Sequence, residues 1–186
     1  MERLAALQAL IASDQRRMDV LRAVRALGLP DCWVAAGFVR NCVWDHVHGL
    51  AASPLSQDID VIWFYAEQGD AARDASLERA LRDRDGTLDW SVKNQARMHV
   101  RNGDAPYASA TDAMRYWPET ATAVGVRLGQ DDTLEVAAPF GLDDLFGLVV
   151  QPTRRFAEEK RAVYLARFRA KDWPGRWPRL RIEMPA

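Results

Sequence analysis

Gly37-Phe38-Val39-Arg40-Asn41 and, across a loop, Gln57-Asp58-Ile59-Asp60-Val61-Ile62-Trp63-Phe64 are the two stretches whose reading decides the fold. The second sets two carboxylates one residue apart inside an apolar, β-prone run. A strand points residues i and i+2 to one face, so Asp58 and Asp60 project side by side. Two ionised carboxylates at that spacing repel each other and are costly to desolvate. A divalent metal is the most economical cation to hold them, and a metal on two aspartates at a strand start points to phosphate chemistry. The plainer alternative is that they cap neighbouring backbone or pair with Arg40.

The first stretch is a junction. Cys32-Trp33-Val34-Ala35-Ala36 reads as a short buried strand ended by Gly37. A helix follows, with Val39, Val43 and Val47 on one face, and runs to Gly49. A glycine between strand and helix lets a ligand approach the backbone. The free N–H groups and dipole of the helix start favour an anion there, and a triphosphate is a natural occupant.

Working outward, the spacing predicts a helix over 14–27 with Ser13 as N-cap, stopped by Gly28 and Pro30. A loop over 50–57 leads to a strand over 59–65. Further on come a helix over 71–84, a strand from Leu88 to Val92, and a turn at Asn102-Gly103-Asp104. A short helix capped by Ser109 or Thr111 stops at Pro118, and a hairpin joins 121–128 to 133–138. A helix over 142–149, a longer one over 156–170 and an extended tail containing Trp173-Pro174 and Trp177-Pro178 complete the chain. The order of elements gives an α+β (α/β) fold with a mixed β-sheet flanked by helices and a C-terminal helical extension.

The 186 residues divide into a domain over 1–150 and a basic helix and tail over 151–186 packed on it. The second part carries ten Lys and Arg against four acids, a surplus of six; with the whole at −1, the remainder sums to −7. Such a tail either faces phosphate or docks on the acidic head, and the plainer docking is preferred. No apolar run is long enough to span a membrane, and the first residues read as a helix, not as a signal peptide, so a cytoplasmic location is expected. Cys32 and Cys42 make neither a zinc pattern nor a disulfide framework and read as small core residues. Trp33, Trp44, Trp63 and Trp90 read as core, too.

Gly37-x-Val39-Arg40-Asn41 followed by Asp58-Ile59-Asp60 resembles the head of the nucleotidyltransferase superfamily. That superfamily includes DNA polymerase β, poly(A) polymerases and the CCA-adding enzymes, and its signature is Gly-Gly-x-Val-Arg-Asp before an Asp-x-Asp. The chain over about 15–180 also resembles a small bacterial nucleotidyltransferase-like family. Blocks at Gly37–Asp45, Trp90–His99, Trp117–Arg127 and Ala138–Phe146 carry that likeness. Against the signature, Phe38 stands at the second small position, Asn41 replaces an acid, and the gap from Gly37 to Asp58 is long.

The resemblance implies a metal-dependent nucleotidyltransferase that moves an NMP from an NTP to a hydroxyl acceptor by two-metal catalysis. Its implied cofactor is Mg²⁺, two ions, with Mn²⁺ as a substitute. Asp58 and Asp60 become catalytic metal ligands, and Asp89, in Leu88-Asp89-Trp90, the candidate third carboxylate. Gly37, Phe38, Arg40, Lys93 and Arg97 are the candidate nucleotide- and phosphate-binding residues. Beside that stands a plainer reading in which Asn94 caps a short helix, Arg97 forms an ion pair and His99 is interior. Expected partners are an NTP and an acceptor that is a small molecule, an RNA end or a protein, with no membrane. The competing function is an inactive nucleotide-sensing or interaction module on the same fold.

Overall fold

The computed structural model describes residues 1–51, 54–55 and 58–185. The chain opens with α1 (Glu2–Ser13), α2 (Gln15–Arg25), β1 (Trp33–Ala35), α3 (Gly37–His48) and β2 (Ile59–Trp63). It continues with α4 (Ala71–Arg84), β3 (Trp90–Asn94), α5 (Gln95–Asn102), α6 (Ala110–Met114), β4 (Gly125–Leu128) and β5 (Leu134–Ala137). The remainder is α7 (Asp143–Phe146), β6 (Val149–Val150), α8 (Arg154–Ala157), α9 (Arg161–Ala170), α10 (Trp173–Arg176) and β7 (Arg181–Ile182). The loop expected over 50–57 includes residues 52, 53, 56 and 57, which lie outside the described residues.

Five strands form a mixed sheet in the order β3-β2-β1-β4-β5. β1 runs antiparallel to both β2 and β4, and β2 runs parallel to β3. Side chains alternate between its faces. Val34, Ile59, Val61, Trp63, Trp90 and Val92 fill the face packed against α1–α4, the main core. Trp33, Ala35 and Ile62 lie on the other face in a smaller cluster with Ala110 and Met114 of α6. Each fully buried aliphatic or phenyl side chain stabilises the fold by about 1.5–3 kcal/mol, so the first face dominates folding and leaves the second free to carry polar groups.

Helix ends follow their caps. The Asp14 side chain accepts from Arg17 N at 3.1 Å and starts α2, while Ser13 Oγ donates to Leu10 O and closes α1. The cap is therefore Asp14 and not Ser13, and two helices stand at the start of the chain. Asp70 caps α4, Asn94 caps α5 and Ser109 caps α6. Gly49 and Gly103 end α3 and α5 in the left-handed conformation, where a Cβ is unfavourable.

Several boundaries differ from the sequence expectation: β2 ends at Trp63, β4 starts only at Gly125, and the tail expected to be extended contains α10. β3 begins at Trp90 and runs to Asn94, because its ladder starts opposite Ile59 and Asn94 N is drawn to Asp74. The helix expected over 142–149 is only α7, since Leu148 turns left-handed at φ 58° and β6 then pairs with β7. The helix expected over 156–170 is split between α8 and α9, and the break lets Arg155 and Lys160 reach one carboxylate, Asp104. The tail is held by Trp173 and Trp177, edge-on to Trp44 at 5.6 and 5.1 Å, and by Trp177 Nε1 donating to Asp45 at 2.9 Å. Among the described residues no helix is long and apolar enough to cross a membrane.

Asp74 joins four elements. Its carboxylate is 2% exposed, accepts from Trp63 Nε1 at 2.8 Å and from Asn94 N at 3.0 Å, and pairs with Arg97. Asp74→Ala would strand several buried donors and should destabilise the fold by about 3 kcal/mol in urea titration, with Asp74→Asn costing less.

Candidate active site

The ladder between β1 and β2 sets Ala35 opposite Asp60. Ala36 and Gly37 then turn the chain out of β1 into α3, so the start of that helix neighbours Asp60 by register. Ala36 takes φ 55° and ψ −122°, a region that any Cβ disfavours. Hydrogen bonds hold it there. Its N–H donates to Val124 O at 3.0 Å, and its carbonyl accepts from Val39 N at 3.1 Å and Arg40 N at 2.9 Å. The N–H groups of Gly37 and Phe38 are left directed out of the helix start.

This geometry corrects the expectation for Phe38. The residue in a glycine-like conformation is Ala36, Gly37 follows it, and Phe38 stands at the free position of the signature. The Phe38 ring is 1% exposed in the main core, beneath the Arg17 guanidinium at 5.6 Å. Its bulk points away from any ligand, and only its backbone faces the helix start.

Asp60 is half-buried on the second sheet face, and Asp58, exposed, immediately precedes β2. The Asp60 carboxyl is pushed up to about 6, first by burial and next by the charge of Asp58, against the opposing pull of Arg40, Arg167 and Lys171. No direct ion pair or hydrogen bond contributes to that balance. A pair of repelling, partly desolvated carboxylates offers hard oxygen ligands to Mg²⁺, which commonly takes one or two carboxylates and completes its shell with phosphate and water. The residues present therefore fit such an ion. Asp89 is exposed, its carbonyl accepts from Ile59 N at 2.7 Å, and extending the parallel register by one residue sets it beside Asp58. Among the described residues, however, no three His, Cys, Asp or Glu side chains converge as metal ligands would. Asp89 is not gathered into a three-carboxylate centre.

A cavity of about 230 Å³ opens on this face, lined in part by Ala36, Asp60, Lys93, Trp117, Thr122 and Arg167. A larger one of about 300 Å³ lies against Val34 of the opposite face, between Leu21, Val24 and Leu29, away from the carboxylates.

The expected cationic ligands divide. Lys93 lines the cavity but is tied to Glu78 of α4 and donates to Val92 O at 3.1 Å. Arg97 pairs with Asp74 and serves the core, as the plainer reading had it. Arg40 is 7% exposed, donates to Asn41 Oδ1 at 2.9 Å and Thr122 Oγ1 at 3.2 Å, and is held against Trp44 and Trp173 at 5.0 and 4.7 Å. Burial lowers its guanidinium to about 10. Each of its three nitrogens donates within the protein, Nε and Nη2 to Asn41 and Nη1 to Thr122. His99 packs edge-on to Tyr107 at 6.0 Å. Cys42 is buried, and burial pushes the Cys32 thiol up to about 12, so neither reads as reactive. Sequence reasoning missed Thr122 and Arg167. The basic surplus of the tail was the only hint of Arg167, and it named no residue.

A model of the family described as Nucleotidyltransferase matches residues 22–182. The chain belongs to this nucleotidyltransferase family. As a nucleotidyltransferase it is similar to an NMR structure described as a CCA-adding enzyme head domain, at 34% identity over 96% of this chain and 94% of that one, with a TM-score of 0.84. The expected superfamily and its mixed-sheet fold are thereby borne out. A CCA-adding enzyme in complex with CTP shares the fold at 16% identity, covering 95% of this chain and 43% of that one, TM-score 0.58. So does the Thermotoga maritima CCA-adding enzyme complexed with tRNA, at 17% identity, 95% and 42% coverage and TM-score 0.57. The nucleotidyltransferase chain spans less than half the length of these two enzymes. No curated protein matches it in sequence.

Two outcomes test this geometry. In metal-free buffer the folded state keeps a proton on Asp60 up to about pH 6, whereas the unfolded chain releases it near pH 4. The Asp60 contribution to stability is therefore present below about pH 4 and lost as pH rises through about 6. Asp60→Asn should match the unaltered protein at low pH and exceed it at pH 8 by on the order of 1–3 kcal/mol in denaturant titrations. Ala36→Gly should relieve the backbone strain and raise stability by about 1 kcal/mol, read as a higher melting midpoint.

Proposed function

We propose that the chain is a metal-dependent nucleotidyltransferase that moves a nucleoside monophosphate from an NTP to a hydroxyl acceptor. The observation that carries this is the placement of Asp60 directly across β1–β2 from the residue preceding the Ala36–Gly37 turn. Carboxylates and a helix start are thus neighbours, as a metal-bound triphosphate requires. The Gly37 and Phe38 N–H groups would receive phosphate oxygens, helped by the dipole of α3. Asp58 and Asp60 would hold Mg²⁺. When bound, Mg²⁺ would polarise the phosphate, favour the ionised acceptor hydroxyl and neutralise charge on the leaving pyrophosphate in an in-line displacement. Asp60, whose carboxyl is raised by burial and by Asp58, would have to release its proton to hold the ion, so Mg²⁺ binding would weaken as pH falls.

At about 230 Å³ the cavity is smaller than the ~300–1,000 Å³ that encloses a drug-sized ligand, so it would take part of the nucleotide and leave the rest on the open rim. The complexes of fold relatives with CTP and with tRNA support trying a nucleoside triphosphate as donor and an RNA end as first acceptor, with small-molecule and protein hydroxyls next. The proposed setting is the cytoplasm. The lack of a converging third carboxylate among the described residues favours one second reading, a nucleotide-sensing module without turnover.

Incubation with Mg²⁺, each NTP and an RNA acceptor should release pyrophosphate, with Mn²⁺ substituting. Removal of metal, Asp58→Asn or Asp60→Asn should each cut the rate by at least about 100-fold. Thermal stabilisation by NTP with no release from the unaltered protein would establish the sensing module instead.

A further inference from the structure

The C-terminal segment brings positive charge to the carboxylate face, where Arg167 and Lys171 both act on Asp60. Arg167 of α9 lines the cavity that Asp60 and Thr122 also line, and its side chain is 33% exposed. Its Nε donates to Glu119 Oε1 at 2.8 Å, and Glu119 is only 1% exposed. Trp173 lies to one side, with its ring centre 6.0 Å from the guanidinium carbon. One nitrogen is thus anchored from within the protein, while the two terminal amino groups form no hydrogen bond to protein among the described residues. A guanidinium carries five donors in a rigid fork, so four N–H bonds remain for the cavity. The neighbouring cations differ. Arg40 is engaged with Asn41 and Thr122, and Lys93 is tied to Glu78.

Glu119 has a second oxygen, Oε2, buried without a partner among the described residues. A buried carboxylate satisfied at one oxygen only is poor as a stabilising pair, since its desolvation is incompletely offset. Its evident service is to aim the guanidinium. The charge pattern agrees: a triphosphate beside Asp58 and Asp60 needs positive charge besides any metal, and a planar fork suits two phosphate oxygens at once.

We propose that Arg167 is a phosphate-binding residue of the active site, held by Glu119 as its positioning residue, with its terminal amino groups gripping phosphate oxygens of the nucleotide donor. This rests on the nucleotidyltransferase reading above and makes the C-terminal segment a working part of the catalytic head.

The test uses the full chain and two readouts: calorimetric binding of inorganic tripolyphosphate, with and without Mg²⁺, and pyrophosphate release from NTP. Arg167→Ala should weaken tripolyphosphate binding and raise the NTP KM by about 10–100-fold, with a smaller change in kcat, as expected for loss of hydrogen bonds to a charged group. Free guanidinium ion should restore binding to that variant. Arg167→Lys keeps a cation beside Glu119 and should melt like the unaltered protein. It should still bind tripolyphosphate at least about 5-fold more weakly, because an ammonium lacks the fork; this variant decides the matter should Arg167→Ala not fold. Glu119→Gln should weaken binding less than Arg167→Ala. Unchanged binding and KM in both Arg167 variants, or no tripolyphosphate binding by the unaltered protein, would overturn the proposal. Arg167-dependent tripolyphosphate binding with no pyrophosphate release from any NTP would uphold the phosphate site and sink the transferase reading alone.

Discussion

The antiparallel register of β1 and β2 is the constraint on which the rest depends. Val34, Ile59, Val61 and Trp63 must face the helices for the main core to close, and side chains alternate strictly along a strand. A slip of one residue would turn Asp60 into that core and move Val61 out. Burial on one face therefore dictates a carboxylate on the other, directly beside the turn that starts α3. The same turn forces Ala36 into a strained conformation, held by Val124 O and by the first turn of α3. Strain of this kind persists only where the surroundings over-determine it, and here they set the helix start at the carboxylates.

Charge is distributed with the same economy. Four deeply buried acids bind basic partners from other segments: Asp45 with Arg176, Asp74 with Arg97, Asp104 with Arg155 and Lys160, and Glu119 with Arg167. Such pairs lose much of their Coulombic gain to desolvation, so they orient segments more than they add stability. Three of the four fasten the basic C-terminal segment to the head, which is where its surplus charge goes. Asp60 stands apart. It is half-buried and raised in pKa, and no direct ion pair relieves it. The four buried acids above are paired among the described residues, whereas burial and the charge of Asp58 raise Asp60.

Local signals were legible where local physics sets the outcome. The bounds of α4 follow from Asp70 as cap and from its apolar spacing. α3 ends at a glycine in the left-handed region, and the pairing of β4 with β5 follows from the turn residues between them. The expectation failed where a distant partner intervenes. Val149 and Val150 continue a helical pattern yet pair with β7, and the 156–170 pattern breaks so that two cations can share Asp104. Arg40 and Arg97 illustrate the same limit in the site. Their partners, Thr122 for Arg40 and Asp74 for Arg97, lie far along the chain, where no local motif points to them.

By itself the sequence determined the alternation that pairs Asp58 with Asp60, the strand–turn–helix junction at Gly37, and hence the superfamily. These are properties of short stretches, fixed by the two-residue period of a strand and by the backbone demands of a tight turn. Only the tertiary structure decided that Ala36 and not Phe38 occupies the strained position, and that Arg167 reaches the cavity from over a hundred residues away. Burial and long-range pairing choose among the many cations and acids a chain offers, and neither is encoded within reach of a single motif.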